Sequence, residues 1–318
     1  MPTVPTSVRP KSSDVEHPPL GWLLAQWQDA PPVSARSALV TVLGDAIAPL
    51  EAPVWLSDLI TLGAGLGFSD RLVRTSVFRL TVEQWLESER IGRRSRYRLT
   101  AHALEEIASV NDRIYGPTHE EAGSDEWLLV FTGTVDGAGL EALLPHLGWL
   151  GFAEISPSLW ARPDAKPDLV RSLFSRLGLG PTPALALARF DDVDRLVADP
   201  LFRESSGLAA SEAAYQRFVD RYSGLAPQLL SGDSLLQDED AFVFRTLVVH
   251  DFRRARLADP ALPAPLVGAS WVGTRARQIA GELYHAVAAG SWAWIETVTG
   301  LGPAAHHPAR RDRFADLT

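Results

Sequence analysis

From Ser34 onward apolar positions recur every three to four residues, and the phase of that recurrence changes from segment to segment. Ser34 is placed to cap a helix whose apolar face is Leu39, Val42, Leu43 and Ile47, and Pro49 and Pro53 end it. Val54-Trp55-Leu56 reads as a short strand, and Ser57 caps a second helix to Leu66, loosened at its end by Gly63, Gly65 and Gly67. Ser69 followed by Asp70 opens a third helix, with the acid at the positive end of the helix dipole. In that helix Val73, Val77 and Leu80 share one arc. Arg71, Thr75 and Arg79 form a polar stripe at i, i+4, i+8, with Arg74 and Ser76 on its flanks. Phe78, Val82 and Trp85 make a further apolar edge, so the pattern predicts a helix packed on two sides and exposed along one. Alternation in Arg90-Ile91 and Arg96-Tyr97-Arg98-Leu99 predicts a β-hairpin with its tip at Gly92-Arg93-Arg94-Ser95 and with Ile91, Tyr97 and Leu99 facing inward. Thr100 then caps a helix to about Tyr115.

A polar, acidic stretch over 116–124 reads as a linker. Beyond it the pattern runs strand (Trp127–Thr134), helix (Leu140–Leu147), two short strands (Gly151–Ile155, Ser158–Arg162), helix (Pro167–Leu177), strand (Ala184–Phe190). That βαββαβ order is the ferredoxin-like one. Helical patterns follow over Asp192–Ala198, Ala209–Tyr222, Asp238–Leu257 and Gly273–Ala289, the last two separated by Pro260, Pro263 and Pro265. The expected fold class is α+β: an N-terminal winged helix-turn-helix over 34–115, a ferredoxin-like domain over 125–191 and a helical domain over 192–300. A Pro-rich arm over 1–33 and a flexible tail over 301–318 flank them.

Charge sharpens this picture. Residues 69–100 hold eight arginines against four acids, on a chain whose formal net charge is −9. A basic island on an acidic protein is the footprint of a phosphate-binding surface. One helix with a polar strip, followed by a basic hairpin, is the layout in which the helix enters a DNA major groove and the hairpin reaches the backbone beside it. Arg71, Arg74, Thr75, Ser76 and Arg79 on the helix, and Arg93, Arg94, Ser95 and Arg96 on the hairpin, are the candidate contacts to a double-stranded operator. The other reading of the same residues is a solvated helix face with ion pairs to Glu83 or Glu87, and a plain exposed turn.

Other chemistry is thinly represented. The absence of Cys removes disulfides, thiolate metal sites and a Cys nucleophile together. His306-His307 lacks a third ligand at useful spacing, Gly178-Leu179-Gly180 precedes no phosphate-loop Lys, and no Ser/His/Asp set stands in a recognisable context. The expectation is no metal, no cofactor and no enzyme. No apolar run is long enough to span a bilayer and no signal peptide is evident, so a cytoplasmic protein without a membrane partner is expected.

The run Trp55-Leu56, Asp70-Arg71-Leu72-Val73-Arg74-Thr75, Arg79-Leu80, Gln84-Trp85-Leu86-Glu87 and Arg90-Ile91-Gly92-Arg93-Arg94-Ser95-Arg96-Tyr97-Arg98-Leu99-Thr100 resembles the PaaX family of bacterial repressors of phenylacetate catabolism. Trp160-Ala161-Arg162-Pro163 resembles that family's central strand. Leu247-Val248-Val249-His250-Asp251-Phe252-Arg253-Arg254 with Asp259-Pro260-Ala261-Leu262-Pro263 resembles its C-terminal signature. The likeness covers roughly 34–295; the run Leu266-Val267-Gly268-Ala269-Ser270-Trp271 departs from it, lacking the usual proline and acid before the tryptophan. The resemblance implies a homodimer paired through a Cas2-like middle domain, and release from DNA by an acyl-coenzyme A such as phenylacetyl-CoA. It makes Trp160, Arg162, Arg245, His250, Arg253, Arg254 and Trp271 candidate effector contacts, with Trp149 a further candidate for an aryl-lined pocket. The rival expectation is an acyl-CoA-binding protein or enzyme that retains a vestigial winged helix.

Overall fold

A computed structural model describes residues 34–116, 126–163, 165–180, 183–191, 200–201, 203–204, 207–225, 236–260, 262, 267–268, 270–302 and 313–314. The expected N-terminal arm, most of the 116–124 linker, the helix over 192–198 and the His306-His307 pair lie outside these residues.

Helix α1 (Ala35–Val42) starts where Ser34 Oγ accepts the Ser37 N–H at 3.2 Å. It loosens into a π turn over Leu43–Ile47 and a 3-10 turn over Ala48–Leu50, so Pro49 sits inside the last turn instead of ending the helix earlier. After strand β1 (Val54–Trp55), helix α2 (Leu56–Gly65) starts two residues earlier than expected, with Trp55 and not Ser57 at the N-cap: Asp58 holds its start by accepting the Trp55 N–H at 2.9 Å. Helix α3 (Asp70–Val82) opens at Ser69 and packs on α2 at Gly63, where a Cβ would stand 2.7 Å from Val73 Cγ2. Strands β2 (Leu86–Ile91) and β3 (Arg94–Leu99) form an antiparallel hairpin, and β1 adds to β3 to give the order β1-β3-β2. The turn is two residues long, with Gly92 at φ 61 supplying its left-handed position. Helix α4 (Ala101–Tyr115) follows, its first turn capped by Thr100 Oγ1.

The second sheet comprises β4 (Glu126–Phe131), β5 (Ala153–Ser156), β6 (Leu159–Pro163) and β7 (Ala184–Arg189), antiparallel throughout in the order β5-β6-β4-β7. Helix α5 (Gly137–Trp149) joins β4 to β5 and helix α6 (Pro167–Arg176) joins β6 to β7. Strand alternation divides β4 between two cores. Leu128 and Val130 pack with Leu143, Leu147, Val170 and Phe174 in a core under the two helices, while Trp127 joins the main core.

Helices α7 (Leu208–Tyr222), α8 (Asp238–Ala258) and α9 (Val272–Thr299) make the C-terminal region. Helix α9 runs ten residues past the expected end at Ala289. Gly290 does not stop it; there α9 lies so close to α8 that a Cβ would meet Ala241 Cβ at 3.1 Å. The main core is continuous from α1, α3 and α4 to α8 and α9. The architecture is thus mixed helix and sheet with a helical C-terminal region.

A buried ionic cluster ties the first helical segment to the C-terminal region. Asp45, in the π turn, meets Arg245 Nε at 2.8 Å and a guanidinium nitrogen of Arg313, and accepts the Tyr115 hydroxyl at 2.8 Å. Arg245 also stacks 4.2 Å above Trp292, and Arg313 lies 4.5 Å above Tyr115. Phe314 is fully buried among Tyr115, Phe252 and Tyr284. The tail is therefore not a loose extension at these two residues, contrary to expectation. Its Pro-rich sequence gave no hint that a single Arg-Phe pair had partners distant in the chain.

Burial alone would raise the Asp45 pKa, but Arg245 and Arg313 outweigh it and hold the carboxyl below its usual value. Stability from this group is present above the unfolded value of 3.8 and is lost as pH falls through the folded one. D45N, which leaves two buried guanidiniums without their anion, is expected to cost about 3–5 kcal/mol at neutral pH. Urea unfolding measures it, and the gap to the wild type should narrow as the buffer is taken below about pH 4.

Candidate nucleic-acid interface and the adjoining cleft

Helix α3 is held from one side only. Val73, Ser76, Val77 and Leu80 are buried, which corrects the placement of Ser76: three residues after Val73 and four before Leu80, it falls within the inward stripe. The expected third apolar edge is also corrected. Trp85 is buried, but Phe78 and Val82 are each 67% exposed. They continue the line begun by Arg71 and Thr75, so the outer ridge of α3 reads Arg71, Thr75, Phe78, Val82 at alternating spacings of four, three and four. Arg79 and Leu72 stand beside this ridge, both exposed.

Seven of the eight arginines of this region fall into two groups, and Arg90 donates its Nε–H to the Gly92 carbonyl at 3.2 Å. Arg74 pairs with Asp70 one turn back, and Arg96 and Arg98 pair across the hairpin with Glu89 and Glu87, as the register Glu89↔Arg96 and Glu87↔Arg98 dictates. Arg94 lies 4.1 Å above the Trp55 ring with Nη2 3.3 Å from Ser57 Oγ, fastening the hairpin to the start of α2. Arg71, Arg79 and Arg93 have no acidic partner among the described residues. Ser95 is half-buried, and Ile91, opposite Arg94 beside the turn, is exposed instead of facing inward, while Tyr97 and Leu99 pack against the main core. Thr75 donates its hydroxyl proton to the Arg71 carbonyl at 2.9 Å.

Beside the C-terminal end of α3 lies a cleft of about 300 Å³ lined by Arg36, Ser37, Val40, Trp85, Trp149, Arg253, Arg254 and Leu257. A narrower apolar recess continues inward past Ile107, Val110 and Ile114. Trp85 and Trp149 meet edge-on at 6.4 Å. Arg253 has its pKa pushed down by burial and by the neighbouring Arg254 and Arg36, a sign of crowded positive charge. Arg36 Nε bonds both Glu83 oxygens, at 3.0 and 2.8 Å, and Glu83 is the residue that caps the C-terminus of α3. One wall of the cleft is thus ionically attached to the exposed helix.

Of the expected effector contacts, Arg253, Arg254 and Trp149 come together here. The others are elsewhere and are occupied by packing. Arg245 belongs to the Asp45 cluster, and His250 is buried with Nδ1 2.9 Å from Thr41 Oγ1. Arg162 bonds the Leu150 carbonyl, and Trp160 lies in the core beneath α5 and α6. Trp271 packs edge-on against Tyr215 at 5.8 Å in the helical region. Three tryptophans that look alike in sequence therefore occupy three environments. Arg36 and Trp85 were missed as cleft residues; their only signal was that one opens the first helix and the other follows the third.

Residues 34–103 match the family described as PaaX-like protein, and residues 207–297 match that described as PaaX-like protein C-terminal domain. The chain is 34% identical, over 281 residues, to the transcriptional repressor PaaX of Escherichia coli strain K12; the match covers 87% of this chain and 89% of that protein. Among solved structures it is similar to the uncharacterized protein Rv0674 from Mycobacterium tuberculosis, with a TM-score of 0.49 and 21% identity over 83% of this chain and 98% of that one.

Burial first, then the charges of Arg253 and Arg254, hold the His250 pKa down at about 3. Between its ordinary value of 6.5 and about 3 the unfolded chain takes up a proton that the folded chain does not, so this residue lowers stability as pH falls. H250N should remove that part of the acid sensitivity. Its urea midpoint is expected to decline less steeply than the wild type's between about pH 7 and pH 4.

Proposed function

The chain belongs to the PaaX-like family, and from that premise we propose that it is a DNA-binding transcriptional repressor whose α1–α4 region works as a winged helix-turn-helix. The observation that carries this reading is the outer face of α3 with its hairpin: Arg71, Arg79 and Arg93 are displayed to solvent without an acidic partner among the described residues. Helix α3 supplies the major-groove element, and the hairpin, made rigid by its cross-strand Glu–Arg pairs and by Arg94 on Trp55, supplies the wing. Arg74, Thr75, Arg94, Ser95 and Arg96 flank these three cations as phosphate and base contacts. Arg74 and Arg96 exchange an exposed carboxylate, worth little in water, for a phosphate.

We read the β4–β7 sheet with α5 and α6 as a ferredoxin-like domain that pairs two subunits, supported by its strand order and by the exposed Leu187 on edge strand β7. A two-fold dimer would meet a palindromic operator half-site by half-site. The protein works in the cytoplasm, where its operator is.

The effector of this reading is an acyl-CoA, phenylacetyl-CoA being the first to test. Arg36, Arg253 and Arg254 offer charge to its phosphates, and the Trp85–Trp149 pair and Val40 offer an apolar wall to its acyl end. Release follows by population shift. An anion in the cleft competes with Glu83 for Arg36, removing an ionic tie at the end of α3 and favouring an arrangement of the two recognition helices that no longer fits the operator. A differential affinity of about 3 kcal/mol changes occupancy by more than a hundredfold.

Mobility-shift titrations on promoter DNA across a salt series test the reading. Binding should weaken steeply with salt, and R71A and R79A should each reduce the slope of log affinity against log salt by about 1. A flat salt response, or no shift, favours a CoA-binding module with a vestigial winged helix. R254A should require about tenfold more phenylacetyl-CoA for half-release while its affinity for DNA stays within about twofold.

A further inference from the structure

Polar residues account for only half of the outer ridge of α3. Arg71 and Thr75 are followed along the same line by Phe78 and Val82, both 67% exposed, and Leu72 beside them is 43% exposed. Isolated apolar side chains on a surface are ordinary. Here, however, two large ones stand beside arginines that have no acidic partner among the described residues, on a helix whose inner face alone is held, by Val73, Val77 and Leu80. At about 1.5 Å per residue, Phe78 lies roughly 10 Å along the axis from Arg71, within the length of helix that a major groove admits. The polar member between them adds little donor capacity, because the Thr75 proton already goes to the Arg71 carbonyl. What this stretch presents to a groove floor is hydrocarbon, flanked by Arg71 and Arg79.

The base edge that matches hydrocarbon in a major groove is the 5-methyl group of thymine; the other edges there present hydrogen-bond donors and acceptors. We propose that the outer ridge of α3 determines sequence specificity partly by apolar contact, Phe78 with Val82 beside it seating against thymine methyl groups in each half-site while Arg71 and Arg79 grip the flanking bases or phosphates. The inference rests on the DNA-binding reading and adds the chemistry by which one part of the site is read. It requires no new partner: the flanking cations already favour a polyanion over an apolar protein surface as the occupant of this face.

The test uses the full-length protein and duplexes it selects from a randomised library. Each half-site thymine is replaced in turn by deoxyuridine, which removes only the methyl group, and affinity is read by fluorescence anisotropy at one fixed salt concentration. At one thymine position or more the wild type should bind the uracil duplex about fourfold more weakly, the loss expected for one buried methyl. F78A should bind the thymine and uracil duplexes alike at that position, with V82A showing a smaller effect. The inference is overturned if no thymine-to-uracil change matters to the wild type, or if F78A keeps the difference. It is overturned equally if sedimentation shows that F78A alters the oligomeric state while the thymine preference is unchanged, which would make the ridge a contact between copies. If uracil has no effect yet R71A and R79A still weaken binding, only this inference falls. If no duplex is selected at all, the DNA reading falls with it.

Discussion

A buried arginine obliges the fold to bring acceptors to it, and Arg113 is where that obligation shapes this molecule. From α4 its guanidinium bonds the Trp149 carbonyl at the end of α5 and the Leu257 and Asp259 carbonyls at 3.3 and 2.9 Å, at the end of α8. Its own carbonyl accepts from Arg256 Nε at 2.6 Å; Arg256 pairs with Asp259, and Asp259 accepts the Tyr215 hydroxyl. Burial, with the nearby Arg162 and Arg256 charges, lowers the Arg113 pKa to about 9, which still leaves it charged at neutral pH. Gly151 is part of the same constraint. It sits at φ 82, and a Cβ there would stand 2.6 Å from the guanidinium carbon. Three regions distant in sequence are thereby fixed around one cation, and two of them supply part of the cleft wall, the end of α5 through Trp149 and the end of α8 through Arg253, Arg254 and Leu257.

Interior and surface ion pairs divide the work. The Arg113 and Asp45 networks are out of water, where removing one partner leaves an uncompensated charge and costs several kcal/mol. The pairs Arg36–Glu83, Arg74–Asp70 and Arg96–Glu89 are exposed or half-exposed, contribute about 0–1 kcal/mol each, and yield readily to a competing anion. The proposed DNA-binding role is served by that distribution: a frame that does not exchange partners, and a rim that does.

The apolar ridge on α3 and the cleft beside it make different demands on the same helix. Phe78 and Val82 are left in water by the monomer, a cost that is recovered only when the ridge is covered. Trp85, three residues beyond Val82 and separated from it by the left-handed Gln84 at φ 60, turns back into the protein and becomes a wall of the cleft. The exposed ridge and the cleft wall are thus separated by a single backbone reversal.

Local chemistry made much of this legible from residues alone. The Ser34, Ser69 and Thr100 caps, the hairpin turn at Gly92 and the basic density of 69–100 all depend on neighbours within a few positions, so the amino-acid order determines them. Partners distant in the chain were decided only by the packed structure. An apolar residue such as Phe78 or Trp160 states that it prefers to leave water, not which surface is available to receive it. Arg245, Arg253 and Arg254 share one helix and one charge, yet the first is sealed against Asp45 and the other two line a cleft. The direction a side chain faces is local, but what meets it there is set by segments up to 268 residues away, as Asp45 and Arg313 illustrate.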